Sequence, residues 1–356
     1  MREGVTYKPF DDCFDKIKTP KGVPSKDYLE SGTYPVISQE EEFISGYNND
    51  DSKLLHIPRP VVIFGDHSRV IKYVDFDFVL GADGVKVLLP KVECDAKYIY
   101  YFLKHFNVPS LGYSRHFKLL REAQIPVPSL STQELIVREL DSISSVISAK
   151  KQQVLELDNL AQAIFLDTFG DPITNPKGWE VKKLGEVSEL LNGRAYSKEE
   201  LLDKGKYRVL RVGNFFTNDS WYYSNLELPD NKYCDKGDLL FAWSASFGAR
   251  IWDGEKVIYH YHIWKVMYDE AYLNKIFYCH LLNHMMDLLK NDTHGIGMVH
   301  LTKVGMEQYG IPLPPLSLQQ AFAEKVQAIE EQKRLINQSI AEFESLLAQR
   351  MEFHFA

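Results

Sequence analysis

The chain of 356 residues contains no apolar run of membrane-spanning length, and its N-terminus has no signal-peptide pattern. We therefore expect a cytoplasmic protein. Cysteine is scarce: Cys13, Cys94, Cys234 and Cys279 lie far apart, without the paired spacing of a zinc site or a disulfide framework. We predict that all four are buried thiols.

Several enzyme motifs are also missing. A nucleotide-driven motor needs Gly-x-x-x-x-Gly-Lys-[Ser/Thr], which does not occur in the chain. An amino-methyltransferase needs a polar residue before Pro-Pro-aromatic, whereas residues 313–316 read Leu-Pro-Pro-Leu. The pair Pro229-Asp230 lacks the acidic-x-Lys group of common metal-dependent nucleases. The sequence therefore predicts no catalytic residue, no metal site and no directly bound cofactor.

Two arrangements look like sites but favour a structural interpretation. Asp66, His67 and Ser68 are adjacent, and adjacent residues cannot generally aim their side chains at one another as a catalytic triad requires. His260 and His262 alternate within the apolar run 257–264 and would share one face of a strand. Such a pair could bind zinc if a third ligand came close, but no further ligand spacing is present.

Positive charge is not in excess either, since the formal net charge is −8. This balance argues against a nucleic-acid partner at first sight. The segments 131–170 and 317–356 together carry five of these negative charges, so the rest of the chain is near neutral. A phosphate-binding surface would then be a local patch, or would be completed by a basic partner.

An internal repeat is what the sequence does contain. Without a gap, Ile125, Pro126, Pro128, Leu130, Ser131 and Gln133 align with Ile311, Pro312, Pro314, Leu316, Ser317 and Gln319. Each copy starts with an extended Ile-Pro-x-Pro run, because proline disfavours helix at the residue before it. A capping box at Ser131–Glu134 or Ser317–Gln320 then predicts the start of a helix. Gly170 is the predicted C-terminal cap of the first helix.

Apolar residues recur in both predicted helices at spacings of three and four. They are Ile136, Leu140, Ile143, Ile147, Val154, Leu157, Ala161 and Ile164 in the first, and Phe322, Val326, Ile329, Ile336, Ile340, Phe343 and Leu347 in the second. Lys150 and Lys333 interrupt the two stripes. This pattern is typical of a coiled-coil seam, and about 37 residues correspond to roughly 55 Å. We expect an antiparallel pair that acts as a spacer; the alternative is two amphipathic helices, each docked on its own domain.

Two similar globular domains are predicted beside these helices. Short β-rich runs at 34–37, 61–64, 70–74 and 85–89 precede a helical piece at 96–106, and residues 205–210, 237–242 and 271–284 correspond to 32–37, 60–65 and 96–106. The predicted fold class is α+β, with a pseudo-two-fold internal repeat. The boundaries are 1–124 for the first domain, 125–170 for the first helix, 171–310 for a connector and the second domain, and 311–356 for the second helix.

This pattern resembles the DNA-specificity subunit of type I restriction-modification systems over essentially the full chain. Its most specific parts are Ile125–Gln133, Phe169–Glu180, Gly237–Phe241 and Ile311–Gln319. The resemblance implies two target-recognition domains that read the halves of an interrupted site in double-stranded DNA. It also implies that the paired helices bind two methyltransferase subunits, which carry S-adenosylmethionine. A motor-nuclease subunit, if one joins, would carry ATP and magnesium.

Other functions remain open at this point. Related subunits serve methylation-only or other phage-defence complexes. A further alternative is a coiled-coil adaptor whose end domains do not bind DNA. A neighbouring reading frame with a methyltransferase motif would favour the DNA-binding interpretations.

Reading bases requires forked donors or donor–acceptor pairs on loops that reach the major groove. Such residues follow matched strands in loops 65–69 and 244–250, and recur before each Ile-Pro-x-Pro run. The predicted DNA-binding residues of the first domain are Ser38, Gln39, His67, Ser68, Arg69, Lys72, Tyr113, Ser114, Arg115, His116 and Lys118. Those of the second are Arg211, Asn214, Ser244, Ser246, Arg250, His294, Gly295, Gly297, His300, Thr302 and Lys303.

A surface for the methyltransferase is predicted on the outward faces of the two helices. Its residues are Glu139, Lys151 and Glu156 in the first helix and Lys325, Arg334 and Glu342 in the second. The alternative for each is an ordinary solvated charge.

Overall fold

The structure is a computed structural model that describes residues 5–82, 84–112, 114–216, 220–244, 246–291 and 302–356. The chain divides into two compact units. Unit 1 comprises Met1–Gln152 and Asn337–Ala356, and unit 2 comprises Gln153–Ile336. Both contain helices and sheets, which confirms the predicted α+β class with two similar domains. Within the described ranges, no helix is both long and apolar enough to cross a bilayer.

The described residues of unit 1 form three sheets. In chain order the elements are β1 Thr6–Pro9, β2 Phe14–Asp15, β3 Tyr34–Ile37, β4 Gly46–Asn48, β5 Leu54–Leu55, β6 Val61–Gly65, β7 Ile71–Val74, β8 Phe78–Leu80, β9 Val85–Pro90, α1 Ala96–Phe106, α2 Phe117–Leu120, β10 Gln124–Val127 and the start of α3 Leu130–Phe169. The strand orders are β2-β9-β6-β7, β4-β3-β8-β5 and β1-β10. Val62 and Phe64 of β6 share a buried core with Tyr98 and Phe102 of α1, so this helix covers the first sheet.

Unit 2 repeats these sheets. Its elements are the end of α3, then β11 Glu180–Lys183, α4 Leu184–Val187, β12 Ser188–Asn192, β13 Tyr207–Leu210, α5 Val212–Phe216, β14 Tyr222–Ser224, β15 Tyr233–Cys234, β16 Leu239–Ser244, β17 Ser246–Ile251, β18 Val257–Tyr259, β19 Ile263–Tyr268, α6 Lys275–Asn291, α7 Lys303–Gln308, β20 Gly310–Leu313 and most of α8 Leu316–Phe355. The strand orders are β12-β19-β16-β17, β14-β13-β18-β15 and β11-β20. Each sheet of unit 1 therefore has a counterpart in unit 2.

Hydrogen bonding fixes the equivalence of the two units residue by residue. The parallel pair β3–β8 places Ile37 opposite Leu80, and the parallel pair β13–β18 places Leu210 opposite Tyr259. The next N–H along the chain, that of Gly81, donates to the Ile37 carbonyl at 2.9 Å. In unit 2 the N–H of His260 donates to the Leu210 carbonyl, also at 2.9 Å. Gly81 thus corresponds to His260, and Ser38 to Arg211.

The Ile-Pro-x-Pro runs are extended, as predicted, and each forms a two-stranded sheet with the first strand of its unit. The predicted capping boxes are wrong. Both helices begin one residue earlier, at Leu130 and Leu316, so Ser131 and Ser317 already lie in the first turn. The Ser129 hydroxyl accepts from the Thr132 N–H at 3.3 Å, and this residue caps α3 instead.

The repeated glutamine has a structural role that the capping motif did not indicate. Gln133 is fully buried; its Nε2 donates to the carbonyls of Glu93 at 3.0 Å and Pro128 at 2.9 Å, and its Oε1 accepts from the Asp95 N–H at 2.8 Å. In unit 2, Gln319 is equally buried. Its amide contacts the carbonyls of Tyr272 and Pro314 and the N–H of Asn274, at 2.8–2.9 Å. Each glutamine thus ties a long helix to the start of α1 or α6.

Segments of α3 and α8 run antiparallel within each unit. In unit 1, Glu139 accepts from Arg350 while Lys151, further along α3, contacts Glu344, which lies earlier in α8. In unit 2, Phe165 of α3 packs at 5.6 Å from Phe322 of α8. The predicted stripe residues are buried or half-buried, which confirms the seam.

The docked-helix alternative is also partly right, since the same helices enter the domain cores. Ile136, Leu140 and Met351 belong to the core that contains α1 in unit 1. Phe165 and Phe322 belong to the core that contains α6 in unit 2.

Most other local predictions hold. Gly170 has φ 79° and its N–H donates to the Leu166 carbonyl at 2.8 Å, which confirms the C-terminal cap. Cys13, Cys94 and Cys234 are buried free thiols, whereas Cys279 is half-buried. The helix expected at 271–284 begins at Lys275, because the Asn274 side chain accepts from the N–H of Ile276 and so caps α6.

Candidate nucleic-acid interface

One end of unit 1 gathers residues from both four-stranded sheets, and we call it loop end 1. It comprises residues 38–39, 65–69, 81–82, 84 and 114–116. The Asp66 N–H donates to the Gly84 carbonyl at 2.6 Å, and the His67 N–H donates to Gln39 Oε1 at 3.1 Å. These bonds link the loop after β6 to the ends of the parallel strands β3 and β8.

Asp66 and His116 hold loop end 1 together. The His116 ring is completely buried, and its Nε2 accepts from the Leu111 N–H at 3.0 Å. Its Nδ1 therefore carries the proton and donates to the Asp66 carbonyl at 3.0 Å. The Asp66 carboxylate accepts from the Phe117 N–H at 2.8 Å. Asp66, His67 and Ser68 thus have separate partners, since His67 contacts the Ser114 carbonyl and Ser68 accepts from the Val70 N–H.

Four of the residues predicted to contact DNA are buried in this structure: Ser38, Lys72, His116 and Asn214, all under 9% exposed. Ser38 pairs with the Ser45 hydroxyl at 2.7 Å. The Lys72 ammonium donates to the carbonyls of Glu42 and Phe43. Asn214 donates to the Ser220 carbonyl. These side chains support loops instead of facing solvent.

Other predicted residues of unit 1 do reach the surface. Ser68, Arg115 and Lys118 are exposed, while Gln39, His67, Arg69 and Ser114 are half-buried. Arg69 has φ 63°, and its Nη1 donates to the Val108 carbonyl at 3.0 Å. Tyr113 lies outside the described residues, as do His294, Gly295, Gly297 and His300 of unit 2.

The equivalent end of unit 2, loop end 2, comprises residues 211, 243–244, 246 and 260–262. The run 257–264 is not the single strand that we expected, because β18 ends at Tyr259 and β19 starts at Ile263. Residues 260–262 form a turn, closed by a hydrogen bond from the Ile263 N–H to the His260 carbonyl at 2.9 Å. The Trp243 indole N–H donates to the Tyr261 carbonyl, also at 2.9 Å. Ser244 and Ser246 end the adjoining strands, and Ser246 is exposed.

Burial and a neighbouring cation keep the two imidazoles of this turn neutral. Burial, followed by the charges of His262 and Arg211, lowers the pKa of His260 to about 4. Burial and Arg211 also lower the pKa of His262. The two ring centroids lie 4.8 Å apart. In the described part of the chain, no group of three His, Cys, Asp or Glu side chains is placed to hold a metal ion.

Arg69 and Arg250 do not occupy equivalent positions, contrary to the sequence comparison. Ile63 of β6 pairs with Lys72, whereas Leu240 of β16 pairs with Arg250. Arg250 therefore corresponds to Lys72. It is exposed, lies within β17 and donates from Nη1 to the Phe215 carbonyl at 2.9 Å. Lys72 thus binds the segment between β3 and β4, and Arg250 binds the equivalent segment between β13 and β14.

Thr302 and Lys303 lie at the start of α7 instead of in loop end 2. The Thr302 hydroxyl accepts from the Gly305 N–H at 3.1 Å and caps this helix. Lys303 lies 3.6 Å from Glu307, one turn further along.

The predicted partner surface is only partly outward. Glu139 is wrong as an outward residue, because its half-buried carboxylate accepts from Arg350 and contacts His354 at 2.9 Å within the helix pair of unit 1. Lys151 is exposed but contacts Glu344 at 2.7 Å. Glu156, Lys325, Arg334 and Glu342 are exposed.

Sequence reasoning missed two features. The turn 260–262 was taken for strand, and the sequence comparison of the two domains did not include these residues. The charge-based search of the helices also passed over exposed apolar residues. Leu155 is 57% exposed and Leu335 is 51% exposed.

The chain matches known proteins. The family profile described as the type I restriction modification DNA specificity domain matches residues 3–157 and 176–345. The specificity subunit of the type I restriction enzymes EcoR124I/EcoR124II from Escherichia coli is 29% identical over 199 residues, which are 50% of this chain and 47% of that protein. The chain thus matches about half the length of that relative. The MjaIX specificity subunit from Methanocaldococcus jannaschii is 26% identical over 360 residues, covering 90% of this chain and 80% of that protein.

Among solved structures, the S subunit of a type I restriction-modification system from M. genitalium aligns with a TM-score of 0.55 at 14% identity. The alignment covers 98% of this chain and 95% of that chain, and supports the fold. With the duplicated units and the two profile matches, which extend over most of the sequence, it follows that the chain belongs to the family of type I restriction-modification DNA specificity domains.

Proposed function

We propose that this chain is a non-catalytic specificity subunit in which each unit reads one half of an interrupted DNA site. The observation that carries this proposal is that the two units share one backbone framework but present different side chains at its surface. Gly81 and His260 make the same hydrogen bond to the preceding parallel strand, yet the residues around them differ completely. Two copies of one frame with unlike surfaces suit the reading of two unlike half-sites.

Local positive charge supports this proposal despite the net charge of −8. Arg115 and Lys118 are exposed in unit 1, and Arg211 and Arg250 in unit 2. Arginine and lysine contact phosphate oxygens, and arginine also presents paired donors to guanine in the major groove. A few such residues provide a footprint on DNA, and a basic partner could enlarge it.

The partners in this proposal are two methyltransferase subunits, which supply S-adenosylmethionine and the chemistry. The exposed faces of α3 and α8 provide the binding surface. It carries the charges of Lys325, Arg334 and Glu342 together with the exposed side chains of Leu155 and Leu335. Aliphatic side chains exposed among charges are common at protein interfaces.

Methylome sequencing tests the DNA-reading function. The chain is expressed with its methyltransferase subunits in a host that otherwise lacks the system. We expect methylation at one two-part motif with a gap of fixed length, which disappears when this gene is deleted. Methylation that persists without the gene, or that shows no motif, would contradict the proposal and favour the adaptor function.

Co-purification tests the partner surface. The triple variant Lys325→Glu, Arg334→Glu, Glu342→Lys should lose the methyltransferase on gel filtration while retaining its circular dichroism spectrum. A matched control changes three exposed charges away from the long helices by the same amount: Lys204→Glu, Lys236→Glu and Glu189→Lys. If the helix variant keeps its partner, or if the control loses it equally, this surface is not the interface.

A further inference from the structure

The turn between β18 and β19 carries different side chains from those of its counterpart in unit 1. In unit 1 the sequence of that turn is Gly-Ala-Asp-Gly, and its described residues Gly81, Ala82 and Gly84 carry no hydrogen-bonding side chain. In unit 2 the turn is His260-Tyr261-His262, and all three side chains carry hydrogen-bonding groups. The flanking hydrogen bonds are the same, because Val23 and Arg194 donate to Leu80 and Tyr259 at 2.9 Å and 3.0 Å.

Hydrogen bonds on three sides hold the 260–262 turn. The Trp243 N–H donates to the His262 carbonyl at 3.1 Å, and its indole holds the Tyr261 carbonyl. The Tyr261 N–H donates to the Arg194 carbonyl at 3.1 Å. Arg194 is itself fixed by two hydrogen bonds to the Glu200 carboxylate, at 2.7 Å and 3.0 Å. A turn held in this way orders its side chains before any ligand arrives, which lowers the entropic cost of binding.

The side chains of this turn suit base edges. Tyr261 is 39% exposed, and its ring packs against that of His262 at a centroid distance of 3.9 Å. A phenol donates and accepts hydrogen bonds, as does a neutral imidazole, so both can contact donor and acceptor groups of a base. Arg211 follows the neighbouring parallel strand; it is exposed and its guanidinium lies 5.2 Å from the Tyr222 ring. Its charge places a phosphate-attracting group beside the turn.

We propose that the turn His260–His262, with Tyr261 at its surface, contacts bases of the half-site read by unit 2, and that Arg211 positions the adjoining DNA backbone. This inference rests on the proposed function and names the element that determines specificity in one unit. It concerns unit 2 alone; at the equivalent end of unit 1 lie the side chains of loops 38–39 and 65–69.

The test is methylome sequencing of the full chain in its complex, with Tyr261→Ala compared to Tyr272→Ala. Tyr272 is a matched control in the same unit, because it is 41% exposed and lies outside loop end 2. Tyr261→Ala should relax the motif at one or two adjacent positions of a single half-site, with about 5- to 150-fold lower discrimination there. The other half-site and the gap should not change. Tyr272→Ala should leave the whole motif unchanged.

An unchanged motif in Tyr261→Ala would overturn the inference, as would equal relaxation in Tyr272→Ala. If Tyr261→Ala abolishes all methylation, Tyr261→Gln decides between contact and folding: a changed motif supports the inference, and loss of binding to every duplex overturns it. Arg211→Ala should weaken binding to all sequences alike and reduce its salt dependence. If the unaltered chain directs no sequence-specific methylation, the proposed function itself fails. A clear two-part motif that Tyr261 does not influence defeats only this inference.

Discussion

In unit 1, the described residues of the turn between β8 and β9, Gly81, Ala82 and Gly84, carry no hydrogen-bonding side chain, and Gln39 and His67 from neighbouring loops lie against Gly84. In unit 2, the corresponding turn carries His260, Tyr261 and His262 beside Arg211. Both turns follow the same parallel strand pairing, and both have the same hydrogen bonds to the flanking segments. Surface chemistry has thus diverged at positions where the backbone hydrogen bonds to the flanking strands are the same in both units.

Steric contacts explain why the two turns do not exchange residues one at a time. A Cβ at Gly81 would lie 2.6 Å from the Cβ of Ser38 and from the Tyr28 hydroxyl. Gly84 has φ 86°, which side chains rarely adopt, and a Cβ there would lie 2.9 Å from the His67 ring. A His260-like side chain in unit 1 would therefore require several surrounding changes. Each turn is adapted to the loops that surround it. The sheets are therefore the part that the two units share, and the side chains at the loop ends are the part that varies.

The largest expected effect concerns the shared frame. Gln133→Leu and Gln319→Leu should each lower the free energy of unfolding of their own unit by about 3 kcal/mol, since each leaves buried backbone groups without partners. The two losses should be similar, because the two glutamines make equivalent contacts. Hydrogen exchange of α1 and α6 amides would measure them separately.

Gln320→Leu is the control for this pair, since Gln320 lies next to Gln319 on α8 but is exposed, and its contacts with Glu324 at 3.4 Å and Asn274 at 3.1 Å both lie at the surface. It should cost less than about 0.5 kcal/mol. A large loss in one unit and none in the other would show that the frames differ more than their hydrogen bonds indicate.

A second prediction concerns a helix position that is buried in unit 1 and half-buried in unit 2. Tyr101 and His280 each lie six residues after the residue that caps their helix, Asp95 or Asn274. Burial, followed by the charges of His284 and Lys333, lowers the pKa of His280 to about 4, although Asp158 opposes this shift. The unfolded chain, with a histidine pKa near 6.5, then binds more protons than the folded chain between pH 6.5 and 4.

The contribution of neutral His280 to the stability of unit 2 should therefore be complete above pH 6.5. The free energy of unfolding should fall by up to about 3 kcal/mol as the pH is lowered to 4. His280→Gln should reduce this pH dependence. Tyr101→Phe in unit 1, which removes a hydroxyl that donates to Asp141 at 2.7 Å, should not introduce a histidine-like transition. Denaturation followed by unit-resolved hydrogen exchange between pH 4 and 8 would check both. An unchanged slope in His280→Gln would contradict the assignment.

The third prediction concerns Lys72 and Arg250, the two basic residues at equivalent positions of β7 and β17. Lys72→Met should lower the free energy of unfolding by about 2 kcal/mol. The buried ammonium donates to two carbonyls, and its removal leaves those carbonyls unpaired. Arg250→Met should cost about 0.5–1 kcal/mol, because Arg250 is exposed and water can replace its contact. Urea unfolding would measure both variants. Equal losses would show that exposure does not govern this position.

Local sequence signals predicted much of the fold. The Ile-Pro-x-Pro runs, the seam and α1 at 96–106 follow from proline geometry and apolar periodicity, both of which act over a few residues. The candidate site was harder to predict, because burial decides which polar residues face solvent. His116 and Lys72 are of the expected type, yet the loops that cover them come from distant segments. The turn 260–262 lies in a run of apolar, tyrosine and histidine residues, 257–264, without glycine or proline, and only the pairing of β18 with β13 shows that it is a turn.

The smallest expected difference lies in the ion pairs of the long helices. In unit 1, Lys151 and Glu344 have side chains 58% and 50% exposed, so their attraction is screened by water. In unit 2, the Lys333 side chain is 18% exposed and contacts both Asp158 at 2.6 Å and Glu330 at 2.8 Å. Double-mutant cycles to alanine should give a coupling energy below about 0.5 kcal/mol for Lys151–Glu344 and about 1 kcal/mol for Lys333–Asp158. Raising the salt concentration to about 1 M should remove the first coupling and leave most of the second, because partly buried charges are screened less. Equal couplings, or equal sensitivity to salt, would mean that the seam of unit 2 is no less solvated than that of unit 1.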